Sequence, residues 1–375
     1  MPYEVAYVYY GRLHAEILET ATRTRRYQKQ AVKSAQAKDL ARKDKRSSVF
    51  PPVNSQAVLL YSHRCDLSCR HCCTRSGPRE TAAMSFPTAA RALELFHLAG
   101  FRDVTLSGGE PMLFKDAMVR LLGVCRAVGL KASMITNANW AVTARECAAE
   151  VADLRAAGLD SISVSVDRYH LAQLPVERIW ILLEACRKQD MPCGVSLGEL
   201  TAGDVAEQQL PADFKAAGYP CSQIQECMPL GRALDAVRVE RLPPVGHQAC
   251  PVACNVTADV DGSVYGCCAG PGLPDADRAV ISVGNLKRET PATVLARLPK
   301  TISMLIWAFG PVWLLKMACD YSGVPVPSKR PRFICEACRR LFEEPWRSLV
   351  SEYAASQTAR ARLLCRVALA TTVQE

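Results

Sequence analysis

The feature that most restricts the fold is an alternation of two periodicities between residues 57 and 228. Apolar and β-branched runs at 57–62, 102–107, 131–136, 160–166, 192–197 and 223–228 are separated by helical patterns near 87–99, 115–129, 143–157, 174–189 and 203–217. Several of the runs are continuously apolar, as strands covered on both faces require. Six strand–helix units of about thirty residues each predict an α/β fold, a partial parallel (β/α)6 barrel. Such folds gather chemistry at the C-terminal ends of their strands, so every functional motif within the barrel should fall at such an end.

Outside this stretch the pattern changes. Residues 12–46 read as a basic helical segment closed by Phe50-Pro51-Pro52, and after about residue 245 short strands, Gly/Pro turns and cysteine pairs replace the alternation. The expected organisation is a basic helical extension over 1–52, the barrel over 53–240, a small cysteine-rich domain over 241–345 and a C-terminal helix over 346–375. The net charge of +9 is concentrated in the extension: residues 1–50 hold 11 Lys/Arg against 5 Asp/Glu, a local +6. The bulk of the chain therefore has no charge argument for nucleic-acid binding, and the extension is either a solvated helix or a docking arm for an acidic partner. The start, Met1-Pro2-Tyr3-Glu4, lacks the pattern of a secretory signal. The apolar stretch 301–318 is interrupted by Gly310-Pro311, short of the roughly 18 apolar residues a membrane span needs. It is expected to pack on its domain or line a substrate cleft. A cytoplasmic, membrane-free setting follows, in which the 18 cysteines are metal ligands more often than disulfides.

The first cysteine group follows the first strand: Cys65-Asp66-Leu67-Ser68-Cys69-Arg70-His71-Cys72-Cys73, a C-x3-C-x2-C spacing with one extra thiol. Four thiolates saturate a [4Fe–4S] cluster; three leave one iron open for a ligand. A zinc loop or packed thiols are the alternatives. Adjacent residues rarely serve one cluster face, so Cys73 is expected to support or pack. The second strand ends in Ser107-Gly108-Gly109-Glu110-Pro111, the third in Ile135-Thr136-Asn137-Ala138, the fourth in Ser165-Val166-Asp167, and the fifth contains Gly194-Val195-Ser196-Leu197-Gly198. Glycines there permit close backbone approach to a ligand.

These motifs, in this order after a C-x3-C-x2-C triplet, resemble those of the radical S-adenosylmethionine (SAM) superfamily, whose fold is a partial TIM-like barrel. The resemblance implies that Cys65, Cys69 and Cys72 hold a SAM-binding [4Fe–4S] cluster. It implies that Gly108, Gly109, Glu110 and Pro111 match the GGEP motif that binds the SAM amino group. Thr136 and Asn137 match the family's Thr-Asn-Gly, with Ala138 where the family has glycine. Ser165 and Asp167 would face the SAM ribose or carboxylate, and Gly194 the adenine. His71 stands where the family usually has an aromatic residue. Tyr169 and His170, just after strand four, are packing or capping residues or, for His170, a catalytic proton or hydrogen donor to a substrate radical.

The second group is Cys250 and Cys254 before Asp261-Gly262, then Cys267-Cys268, Cys319 and Cys335-Glu336-Ala337-Cys338. An Asp-Gly hairpin brings cysteines on flanking strands to one metal. The spacing looks like the cluster-binding half of SPASM/Twitch extensions, and the absence of further cysteines soon after Cys338 implies the one-cluster, Twitch-like form. Cys250, Cys267, Cys335 and Cys338 would hold one auxiliary [4Fe–4S] cluster, with Cys254 an alternative to Cys250, Cys268 an alternative to Cys267, and Cys319 left over. A structural zinc site is the alternative.

By resemblance the chain reductively cleaves SAM to a 5′-deoxyadenosyl radical, which abstracts a substrate hydrogen, with a flavodoxin or ferredoxin as the low-potential electron donor. The leading expectation is modification of a ribosomally made peptide. The alternatives are a dehydrogenase or epimerase of a sugar, aminocyclitol or other small metabolite, and a non-enzymatic metal-binding protein.

Overall fold

Burial along the strands shows how the barrel forms. In the computed structural model β2 (Asp103–Ser107), β3 (Lys131–Thr136) and β4 (Ser161–Val166) alternate strictly. Val104, Leu106, Ala132, Met134, Ile162, Val164 and Val166 point into the helix-side core, while Thr105, Ser133, Ser163 and Ser165 are only half-buried on the other face. That period-2 pattern differs from the two-sided burial expected of parallel strands. The inner face of these strands carries hydroxyls, and the register lines them up: Thr105 sits beside Ser133 and Ser133 beside Ser161, with Thr105 Oγ1 and Ser133 Oγ 3.1 Å apart.

The structure describes residues 55–199, 212–219, 221–226, 228–236, 244–246, 248–250, 252–298, 301–359, 362, 363 and 366. The expected helical extension over 12–46 lies outside them, as does most of the helix expected over 203–217. β1 (Ala57–Leu60), β2, β3, β4, β5 (Cys193–Glu199) and β6 (Cys221–Glu226) run parallel in sequence order, the six strands of the partial barrel. The connecting helices Phe86–Ala99, Lys115–Val128, Ala144–Ala157 and Val176–Lys188 bury one apolar stripe each, for example Leu93, Leu95 and Phe96 on the first. Their ends are sequence-encoded. Thr143 Oγ1 accepts from Glu146 N–H and donates to Glu146 Oε2 at the start of Ala144–Ala157, and Gly158 closes that helix at φ 107°.

The sheet does not stop at β1. β7 (Ala253–Ala258) pairs parallel to β1 on its other side, and β8 (Ser263–Cys267) and β9 (Ser282–Asn285) continue antiparallel, giving one nine-stranded sheet in the order β6-β5-β4-β3-β2-β1-β7-β8-β9. A second apolar core, centred on Leu305, Leu314, Leu341 and Tyr353, lies under the C-terminal helices. The stretch 301–318 supplies part of it as two helices, Ile302–Phe309 and Pro311–Ser322, bent by 99°. No single helix among the described residues is long and apolar enough to cross a membrane.

A buried pair ties β1 to the β7–β8 turn: His63 Nε2 lies 2.7 Å from Asp259 Oδ1, and Asp259 is 3% exposed. Removing the imidazole leaves that carboxylate with one fewer donor in a dry site. His63→Ala is expected to cost about 1–3 kcal/mol, read as a lower urea midpoint with an unchanged slope.

Candidate metal centres

The first cysteine group is a loop with a closed neck. Arg64 pairs with Gly77, Cys65 N–H donates to Gly77 O (3.2 Å) and Gly77 N–H donates to His63 O (3.0 Å). Between these ends the loop carries all three thiols of the triplet. Its base is seated on the end of β2: Gly109 N–H donates to Ser62 O at 2.6 Å and Glu110 N–H to Arg64 O at 2.9 Å. A Cβ on Gly108 would lie 2.2 Å from Ser62 O, and one on Gly109 1.9 Å from Arg64 O. The two glycines are therefore required here by backbone packed against backbone, whatever they do for a ligand.

The other strand ends grip the loop through side chains. Glu110 is 1% exposed and accepts from Thr136 Oγ1, Asn137 N–H and Met112 N–H. Burial outweighs these three donors and raises its carboxyl to about 7. Asn137 Nδ2 and Asn139 Nδ2 each donate to one oxygen of Asp66, at 2.8 and 2.7 Å, and Asn137 Nδ2 also lies 3.6 Å from Cys65 Sγ. Ala138, between them, has φ 62°, the left-handed conformation that explains the glycine of the family pattern. The carboxylates of Glu110 and Asp66 crowd Cys65. Burial first, then Glu110, Asp66 and Cys69, push its thiol up to about 12 despite the Leu67 N–H.

On the opposite side stands the segment after β4. Asp167 is 2% exposed and serves twice. Its Oδ1 caps the short helix Arg168–Leu171 by accepting from Tyr169 and His170 N–H; its Oδ2 lies 2.8 Å from His170 Nδ1 and 3.0 Å from His71 Nε2. Burial opposes its ionisation, but the two imidazoles win and hold the carboxyl well below the usual range. For His170, burial lowers and Asp167 and Cys69 raise, leaving it at about 10. His71 stacks on Tyr169 with ring centroids 4.8 Å apart. Ser165 is half-buried on the inner face of β4. Gly194 pairs with Ser163 near the start of β5, because that strand runs on to Glu199; Leu197, beside Val166, stands nearer the site.

Arg232 closes the loop from below, a contact that nothing in the sequence pattern announces. Its N–H donates to Cys72 O (3.0 Å), its Nε to Cys69 O (3.0 Å) and its Nη2 to Ser76 O (2.5 Å). The backbone of Cys73 packs against Gly231 and Gly272, and Cys73 is among the charge neighbours of Cys335.

The second cysteine group converges from three parts of the chain. Cys250, Cys267, Cys335 and Cys338 are mutual electrostatic neighbours, and burial first, then the other thiols, raises Cys250 to about 11 and Cys335 and Cys338 well above the usual thiol range. Cys267 alone is lowered, by a hydrogen bond from Cys268 that outweighs burial. Cys254 has φ 68° and lies with its Sγ 3.6 Å from Met304 Sδ in the core; Cys319 is fully buried on Pro311–Ser322. Cys250, Cys267, Cys335 and Cys338, with Cys254 and Cys268 among the same charge neighbours, fit a soft cation, which relieves the mutual repulsion that adds to burial in raising all of them but Cys267. The triplet, with two carboxylates beside it, fits one as well.

Residues 59–196 match the family model described as the radical SAM superfamily. A GTP 3′,8-cyclase of Vibrio parahaemolyticus is 33% identical over 107 residues, 28% of this chain and 30% of that protein. A "putative peptide biosynthesis protein YydG" of Bacillus subtilis is 23% identical over 136 residues, 36% of this chain and 43% of that protein. The chain thus spans less than half the length of these relatives. Among solved structures, "native anSMEcpe with bound AdoMet and Kp18Cys peptide" matches at TM-score 0.50 and 13% identity, over 80% of this chain and 98% of that one. The solved structure shares the fold, and residues 59–196, somewhat over a third of the chain, are similar to the radical SAM superfamily, whose members use a [4Fe–4S] cluster and SAM.

Proposed function

We propose that Cys65, Cys69 and Cys72 hold the SAM-binding [4Fe–4S] cluster, that Cys250, Cys267, Cys335 and Cys338 hold one auxiliary [4Fe–4S] cluster, and that the enzyme modifies a peptide. The observation that carries the reading is the pair of thiol groups, three on a loop seated on β2 and four that are one another's charge neighbours. When bound, the first cluster and SAM supply a 5′-deoxyadenosyl radical that abstracts a hydrogen from an unactivated C–H bond. The chain's own residues hold and shield. Glu110, Thr136 and Asn137 form a buried hydrogen-bonded wall beside the triplet, with Gly108, Gly109 and Pro111 fixing its backbone. The half-buried hydroxyls of Thr105, Ser133, Ser163 and Ser165 give the interior of the barrel a polar face. His170, with Nδ1 on Asp167, can present only its other ring nitrogen to a partner. A low-potential donor, a flavodoxin or ferredoxin, supplies the electron.

The peptide reading draws on the YydG relative, whose name places it in peptide biosynthesis, and on the +6 charge of residues 1–50, which suits an acidic segment. A second reading, a small metabolite, draws on the GTP 3′,8-cyclases that match part of the chain. Anaerobic reconstitution with SAM and each candidate, followed by mass analysis for 5′-deoxyadenosine and for altered substrate, decides between them. An altered mass on a peptide supports the first reading; one on a nucleotide or sugar alone overturns it.

The auxiliary site has its own test. A chain with both sites filled holds about eight irons, and Cys335→Ala/Cys338→Ala is expected to hold about four while keeping the triplet's cluster. An iron content unchanged by that substitution, or zinc in its place, sinks the auxiliary cluster.

A further inference from the structure

Each thiol of the triplet has a hydrogen-bond donor within reach, but the donors differ in kind. Cys65 Sγ has the backbone N–H of Leu67 at 3.4 Å and the Asn137 amide Nδ2 at 3.6 Å, and Cys72 Sγ has its loop neighbour Thr74 Oγ1 at 3.4 Å. Cys69 Sγ is served by the His170 ring and, from 104 residues away, by Gln173 Nε2 at 3.5 Å. The same amide uses its other end on the same loop: Gln173 Oε1 accepts the backbone N–H of Ser68 at 2.7 Å, while Nε2 also reaches Tyr169 O at 3.1 Å. One side chain therefore fixes the backbone before Cys69 and offers its sulfur a proton.

The segment that carries Gln173 is itself held. Asp167 Oδ1 caps its first turn and Asp167 Oδ2 joins it to His71, two residues beyond Cys69 in the loop. His71 lies on the ring of Tyr169, and ring nitrogens of His71 and His170 lie within 4.8 Å of Cys69 Sγ. Residues 167–173 thus grip Ser68–His71 at several points, and the Gln173 amide meets sulfur in a fixed position.

We propose that Gln173 is a positioning residue whose N–H to Cys69 Sγ raises the reduction potential of the cluster held by Cys65, Cys69 and Cys72. The inference rests on the cluster reading given above. A donor on a cluster thiolate draws charge from the sulfur and favours the reduced, more negative state, so hydrogen bonds to the sulfurs move the potential upward. None of the family motifs in this chain includes position 173.

Gln173 is exposed, so replacing it removes no core. Gln173→Glu keeps an acceptor for Ser68 N–H but sets an oxygen against the sulfur; Gln173→Ala removes both contacts. The experiment is an EPR-monitored redox titration of the full reconstituted chain, following the signal that changes when SAM is added, with iron measured in every sample. The expected order of potentials is wild type highest, Gln173→Ala lower and Gln173→Glu lowest, with wild-type iron. Equal potentials in all three at equal iron overturn the proposal. Loss of iron in both variants also overturns it, since the side chain then retains the cluster rather than tunes it. A wild-type chain with no iron dependent on the triplet and no SAM-responsive signal would instead remove the cluster reading itself.

Discussion

Replacing Cys65, Cys69 and Cys72 together by Ala is expected to reduce 5′-deoxyadenosine formation to background while leaving the fold in place. The three thiols sit on a loop outside the strands; Cys69 belongs to the core and Cys65 and Cys72 pack against it, but the sheet and the large side chains Leu59, Leu106 and Met134 stay in place. Each substitution trims one sulfur, and only Cys69 among them is buried, at 6% exposure. The chemistry has no such tolerance. By spacing the three thiolates are the loop's cluster ligands, and the nearby carboxylates of Asp66 and Glu110 are engaged by Asn137, Asn139, Thr136 and backbone N–H groups. Iron should fall from about eight to about four per chain, with the remainder in the auxiliary site. The measurement is iron content, SAM turnover and thermal unfolding on the same preparation. A triple variant that still cleaves SAM above background would show that the triplet is not the SAM site.

Much of the frame could be read from the sequence because it is written in local periodicities. The runs at 102–107, 131–136 and 160–166 fall within a residue of β2, β3 and β4, and the helix patterns at 87–99 and 115–129 are similarly close. The cysteine triplet and Gly108-Gly109 fall, as expected, after strand ends. What stayed hidden depends on distant partners. No local pattern says that β7 pairs with β1, or that Arg232 and Gln173 reach Cys69 across 163 and 104 residues. The backbone angle of 68° at Cys254 and its neighbour Met304 are likewise absent from the spacing. Asp167 looked like a SAM contact by similarity; in the fold both its oxygens are engaged by a helix cap and two imidazoles, a role its position after a strand permits equally.

Gly109→Ala is expected to be the most disruptive single substitution near the site that removes no functional group. Its Cβ would lie 1.9 Å from Arg64 O, 2.4 Å from Arg64 C and 3.0 Å from Cys65 N, all backbone atoms that no rotamer change can move. Relief requires the base of the cysteine loop to part from β2 by more than about 1 Å, since a carbon–oxygen contact needs about 3.3 Å or more. That separation breaks Gly109 N–H to Ser62 O and Glu110 N–H to Arg64 O, at about 1 kcal/mol each. Overpacking adds about 1–3 kcal/mol, for a total near 3–5 kcal/mol, a large share of an ordinary domain's stability. The displaced loop also carries Asp66 and Cys65 away from Asn137, so iron retention should fall although every ligand is present. Gly123→Ala is the matched control. Gly123 lies inside the helix Lys115–Val128 with nothing within 4 Å of its Cβ position, and alanine there should be neutral or stabilising by up to about 1 kcal/mol. Urea midpoints and iron per chain, measured on both variants, separate a steric wedge under the loop from a general intolerance of added methyl groups. Equal midpoints for the two would mean that the loop and β2 yield to each other at little cost, and that the two glycines serve the ligand alone.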